Sequence, residues 1–543
     1  MASRRWSQVL VILCLFSLGA AACGPLSKRP GGDKPAAGVK DGAARVPANV
    51  PAVIVVARLG EGVRVVRELV SVADSTHETS ALPAIDTMLR HDLGASLIDP
   101  ADLTAHGVDV DGPASLALDG TAILVAVHAA DAGKVEALLN AIAAKLPGGP
   151  AKAHRGHQIV SIRSGGGVRA EAVMIDGWLH VRAGADDGVM RASDGAWVDR
   201  ILDRQPLAGD GDFTWALAQG GGRDGAVMLV RWAPLLAAIS PKAGEARAGL
   251  PREGQSPLID ESAPCKVMEA SATGAIARLA FTANLADAGL DAQGTVELAR
   301  ELRDALKAHT GPVVDEKFAD ARVMASAVAS LAVDVDWLGG VGRAHDPRCG
   351  AASGLVAWTF GGLVDPLEGL YGKKLFDSFS VALLTLRMGG STPEPTAIAR
   401  LGVVSKDDLN RLLDTWVPSL LRSNRKVGTE DVFRVDLSML GAPGPIEVAP
   451  GDRMMTVAIG DGLLEPLLGQ QQPMAERELA SIQLRPDRIP DLAGPLAWLA
   501  DKEMISRGSA DAHARLFARF AWIGLRAVEA ETGLSVTAGY KLR

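Results

Sequence analysis

The sequence predicts an α+β protein of two related lobes, with mostly antiparallel sheets that carry helices packed on one face. Three observations lead there. Short stretches alternate apolar and polar residues at the strand period. Single amphipathic helices interrupt them, many followed by hairpins rather than by a regular strand-helix-strand series. One strand-helix pattern also occurs twice in the chain.

The repeat is clearest around one helix. Ile123, Val125 and Val127 alternate as a half-buried strand, Asp131 stands where a helix cap belongs, and Val135, Leu138, Leu139, Ile142 and Leu146 share one helical face before Pro147-Gly148-Gly149. Later, Ala397, Ala399 and Leu401 alternate, Ser405 stands at the cap, and Leu409, Leu412, Leu413, Trp416 and Leu420 repeat the spacing. Asp99-Pro100 ahead of Ser115-Leu116-Ala117-Leu118 parallels Asp365-Pro366 ahead of Ser380-Val381-Ala382-Leu383. Ile54, Val56, Leu59 and Gly60 parallel Val333, Val335, Leu338 and Gly339, while Leu179, Val181, Ala183 and Gly184 parallel Met455, Val457, Ile459 and Gly460.

The lobes also end alike. Leu279, Phe281, Gly289, Leu290 and Leu298 match Ile523, Leu525, Gly533, Leu534 and Leu542 at constant spacing, and the first set alternates and turns at Asp287-Ala288-Gly289. That reads as a hairpin in both lobes, so Leu516 to Val528 is a hairpin strand rather than a membrane-surface helix. The lobes span residues 50–310 and 311–543, with Thr310-Gly311-Pro312 interrupting the pattern between them.

The amino terminus reads as an export signal over residues 1–22. Arg4 and Arg5 form a basic start, Val9 to Leu18 are almost wholly apolar, and Ala20-Ala21-Ala22 lead to Cys23. The run resembles the bacterial lipobox, with Ala20 where Leu is usual, and this implies a lipidated, palmitate-bearing Cys23. The apolar run falls short of the roughly 20 residues that cross a bilayer. Arg4-Arg5 also resembles a twin-arginine signal, but Ser7 and Gln8 replace the apolar pair expected next, which favours the general secretory route. Residues 23–49, rich in Gly, Pro, Ala and Lys, read as a disordered tether reaching roughly 25–30 Å. By resemblance to Gram-negative lipoproteins, Gly24 after the lipidated position implies the outer membrane, facing the periplasm.

Composition excludes several classes. The 543 residues fill two or more domains, a net charge of −8 opposes nucleic acid as a partner, and 4% aromatic content leaves little for stacking platforms. Of 4 Cys, Cys14 leaves with the signal and Cys23 takes lipid. Cys265 and Cys349 remain, and in an oxidising compartment they predict a disulfide worth about 4–5 kcal/mol in the loop model. Two buried free thiols are the alternative.

No motif carries chemistry. Gly220, Gly222 and Gly225 fit G-x-G-x-x-G but precede a strand instead of following one, so they read as a loop. Ser423-Asn424-Arg425-Lys426 fits S-x-x-K without its partner motifs and reads as a solvated turn. His154 and His157 flank a glycine in a polar loop with no third ligand in reach, and Asp109 and Asp111 before Gly112 lack the rest of a calcium loop and read as a turn. The expectation is therefore no catalytic site, no cofactor and no metal.

Val46-Pro47-Ala48-Asn49-Val50-Pro51-Ala52 before a strand, Asp99-Pro100 leading to His106-Gly107-Val108-Asp109, and the Gly177 to Gly184 strand complete the picture. With the tether, they resemble uncharacterised envelope lipoproteins of bacteria, a domain-of-unknown-function family with repeated strand-helix units. The resemblance supplies no activity. The expected role is a non-enzymatic, membrane-anchored envelope lipoprotein that binds or supports another envelope component. The alternative is a periplasmic carrier of a lipid or other apolar ligand.

Overall fold

The computed structural model describes residues 37–74, 90, 96, 99–119, 122–145, 151–163, 168–185, 195–203, 205–219, 225–239, 276–286, 289–300, 302–304, 324–330, 376–389, 392–416, 422–427, 430–435, 445–451, 454–460, 463–464, 478–489, 491–503 and 506–543. The described chain divides into two units, one ending at Leu298 and the other starting at Ala299, a little before the Thr310-Gly311-Pro312 break.

In the first unit the elements run α1 (Ala37–Ala43), β1 (Ala52–Val56), α2 (Leu59–Asp74), α3 (Pro100–Ala105), β2 (Ala114–Asp119), β3 (Ala122–His128), α4 (Ala132–Lys145), β4 (Lys152–His154), β5 (His157–Arg163), β6 (Val168–Ile175), β7 (Trp178–Ala185), α5 (Ala196–Leu202), α6 (Gly211–Ala218), β8 (Ala226–Arg231), α7 (Trp232–Ile239), β9 (Ile276–Ala286) and β10 (Gly289–Leu298). The strands pair antiparallel in the order β4-β5-β6-β7-β3-β2-β1-β8-β9-β10. Three meanders are thus laid side by side. The second returns its last strand next to β3, and the third enters next to β1. Between β6 and β7 the turn residues Asp176 and Gly177 both have positive φ, +51° and +76°. This is the backbone a two-residue hairpin with right-handed twist requires.

The α+β class and antiparallel sheet are those the sequence predicts. Helices nevertheless cover both faces of this sheet. On one face Val53, Val55, Ala117, Leu124, Val227 and Leu229 pack under α1, α5 and α6, with Trp197, Phe213 and Leu207 almost fully buried. On the other, Leu139 of α4 packs on Val160 and Ala172, the opposite parity of β5 and β6. The reason lies in strands such as β1 (AVIVV) and β8 (AVMLVR), which are apolar at both parities and need cover on both sides.

The second unit contains β11 (Ala325–Ser330), β12 (Phe376–Gly389), β13 (Thr392–Val403), α8 (Lys406–Trp416), β14 (Arg422–Val427), β15 (Glu430–Val435), β16 (Ile446–Pro450), β17 (Met454–Ile459), β18 (Glu478–Leu484), α9 (Ala493–Asp501), α10 (Arg507–Ala518), β19 (Phe520–Ala530) and β20 (Gly533–Leu542). Its strand order, β14-β15-β16-β17-β13-β12-β11-β18-β19-β20, repeats that of the first unit. Register repeats too. Ile123 faces Ala183 as Ala397 faces Ile459, and Ser115 faces Ala126 as Ser380 faces Arg400. In the terminal hairpins Phe281 faces Gly294 as Leu525 faces Ala538. Asp131 Oδ1 accepts from Lys134 N at 3.1 Å and Ser405 Oγ from Asp408 N at 3.3 Å, so both caps stand where the repeat places them.

Several expectations need correction. Leu516 to Ala518 close the helix α10, and the hairpin strand begins at Phe520. Ile54 takes its place in the sheet beside Leu116 and Met228, and the residue in that position of the second unit is Ala327, beside Val381 and Ile482. Val333, Val335, Leu338 and Gly339, the sequence match to β1, lie outside the described residues, as do Asp365 and Pro366. Ser423 to Lys426 form a strand, β14, rather than a turn, because Asn424 and Arg425 pair with Phe433 and Val432. Residues 37–49 are not tether. Val39 and Ala43 are fully buried, Val46 is 1% exposed, and a Cβ on Gly42 would meet Val55 Cγ1 at 2.7 Å, so α1 lies directly on the sheet.

Candidate functional site

Charge is buried on the α1/α5/α6 face of the first sheet. Asp119 ends β2, and Arg182 of β7 stands opposite Leu124 of β3, one strand over. Asp119 Oδ2 accepts from Arg182 Nε at 3.1 Å and from Arg200 Nη2 of α5 at 2.7 Å. Arg182 is 4% exposed and Arg200 49%, so one guanidinium lies under the helices and the other opens to solvent. Beside them Arg169 and Glu171 of β6 form a buried pair at 2.6 Å.

Of these groups Asp119 and Arg200 border a shallow recess whose enclosed space is about 10 Å³, room for about one water molecule. Asp119 and Leu124 of the sheet, Trp197 and Arg200 of α5, and Asn49 and Val50 line it. Trp197 is 2% exposed, and among the described residues its indole Nε1 and Arg182 Nη1 have no hydrogen-bond acceptor. The wall at Asn49 is fixed because Ala48 N donates to Gln205 O and Leu207 N donates to Val46 O.

Of the predicted histidines, His154 meets α5 and His157 does not. His154 Nε2 lies 2.8 Å from Asp199 Oδ1 on α5, and Arg155 Nη1 reaches Asp203 Oδ2 at 2.7 Å. The His154 ring holds the Asp199 carboxyl below its usual range. His157 instead lies 3.0 Å from Met174 O, so the two rings have separate partners. Asp109 makes the predicted turn, its Oδ1 accepting from Gly112 N at 2.9 Å, while Oδ2 orients His128 at 2.8 Å. No cluster of three metal-ligating side chains occurs among the described residues. Cys23, Cys265 and Cys349 lie outside the described residues, as do Gly220 and Gly222.

A second polar cluster anchors α6. Arg231 Nη2 donates to Asp210 Oδ1 and its Nε to Asp212 Oδ2, while Arg278 joins Asp212 to Glu297 and lies 4.1 Å over the Trp215 ring. Burial pushes the Asp212 carboxyl up, but hydrogen bonds from Arg231 and Arg278 outweigh it and hold the group below its ordinary value. A depressed carboxylate contributes stability that is present above its unfolded pKa, about 3.9, and is lost as pH falls through the folded value. Chemical denaturation followed from pH 6 to pH 3 should therefore show a steeper acid loss for the wild type than for Asp212→Asn. Equal slopes would show that the pair contributes nothing.

No family profile matches the chain, and no curated protein matches it. Among solved structures, the chain titled "Structure of crystal form I of TP0453" aligns over 48% of this chain and 79% of its own, at 8% identity and a TM-score of 0.26. A likeness at that score carries no argument. Among the described residues no helix is long and apolar enough to cross a membrane.

Proposed function

We propose that this chain is a non-enzymatic, lipid-anchored protein of the bacterial cell envelope that binds or supports another envelope component. The observation that carries the reading is the amino-terminal run, in which an apolar core and Ala20-Ala21-Ala22 end on Cys23. The resemblance to envelope lipoproteins and the Gly24 position point in the same direction, with the outer membrane as the site of anchoring. Docking of α1 into the first unit adds a constraint on reach. From Cys23 to Ala37 the backbone spans at most about 50 Å fully extended, so the first unit stays near the bilayer that holds the lipid.

Asp119 and Arg200 in the recess offer charged groups to a partner or polar ligand. Crosslinking in intact envelopes, followed by purification, tests the reading. A defined partner recovered in constant ratio supports it. Recovery of none, together with turnover of a substrate in a hydrolase screen, would overturn it.

A further inference from the structure

We propose that the recess beside Asp119 binds an oxyanion, the carboxylate or phosphate end of a small ligand. Three features carry this. The first is an excess of donors: Trp197, which lines the recess, has its Nε1 buried without an acceptor, Arg182 behind Asp119 has its Nη1 buried likewise, and Asn49 and Arg200 also line the recess. A buried N–H left without an acceptor is destabilising, so the Trp197 indole marks a place that an acceptor in the recess would stabilise.

The second feature is charge. Asp119 alone would repel an anion, but its Oδ2 is held by two guanidiniums, Arg182 and Arg200, which leaves one positive charge in excess. Arg169 and Glu171 nearby neutralise each other. The third is access. Arg182 and Trp197 are buried while Arg200 is 49% exposed, so the donor set runs from the interior to a guanidinium that solvent reaches. This is the arrangement in which a planar guanidinium closes on a carboxylate or phosphate. The enclosed space of the recess suits about one water molecule, so a single oxygen of the oxyanion enters it and the rest of the ligand lies outside.

The inference deepens the binding reading by naming a ligand chemistry, yet it stands whether or not Cys23 carries lipid. The test is a titration of the full chain, labelled with ¹⁵N-tryptophan, with sodium phosphate, sodium acetate and a short-chain anionic phospholipid, against sodium chloride at matched ionic strength. Trp197→Phe identifies the Trp197 indole signal by its loss. The expected result is a saturable shift of that signal with at least one oxyanion at millimolar concentration. Arg200→Gln, which leaves Asp119 its bond to Arg182, should weaken it about tenfold with the other indole signals unmoved. Phosphate against acetate separates the two headgroups, and the phospholipid separates a lipid source from a free ion. A shift equal to that in chloride, an affinity indifferent to Arg200→Gln, or an indole hydrogen-bonded to water alone overturns the proposal.

Discussion

Glu171→Ala is expected to destabilise the first unit by about 3–5 kcal/mol, because it leaves the 8%-exposed Arg169 guanidinium as an uncompensated buried charge. Replacing both partners, as in Arg169→Met with Glu171→Leu, should recover most of that loss, since the cost comes from the orphaned ion rather than from a missing attraction. Denaturant unfolding of the two variants decides it. Equal destabilisation would mean that water or another side chain compensates the charge in the single variant.

The second unit provides an internal control. Glu171 stands opposite Arg182 on β7, and Glu447 of β16 stands opposite Ala458 in the same position on β17. Glu447 is fully buried and lies 2.6 Å from Arg425, which comes from β14 rather than from its own strand. Both sheets therefore bury a carboxylate at one site and neutralise it with arginines of different origin. Arg425 is 35% exposed and regains water when its partner is removed, so Glu447→Ala should cost less than Glu171→Ala.

Legibility in the sequence followed the physics of each element. The caps at Asp131 and Ser405 and the paired hairpins were readable because local signals recur at fixed spacing and fix register through the two-residue period. The docking of residues 37–49 was missed. Small, charged and turn residues make up most of it, yet Val39, Ala43 and Val46 recur at intervals of four and three, a helical stripe too short to outweigh them. The candidate site was invisible for a different reason. Asp119, Arg182 and Arg200 come from β2, β7 and α5, and alternating polar residues on a strand look the same whether their face meets water or helices.

Changing Cys23 to Ser is expected to abolish membrane association and incorporation of radiolabelled palmitate, the largest effect predicted for any single substitution here. Serine lacks the thiol that diacylglyceryl transfer requires, and Cys23 precedes the first residue seen in the folded first unit, Ala37, by more than ten positions. The substitution therefore removes the anchor while the cores around Trp197 and Leu409 keep every contact. Two readouts separate causes. Circular dichroism and thermal melting should match the wild type, and only fractionation and labelling should change. If the Cys23→Ser protein still pellets with membranes and still carries label, the anchor is elsewhere, and the envelope localisation built on it falls with it.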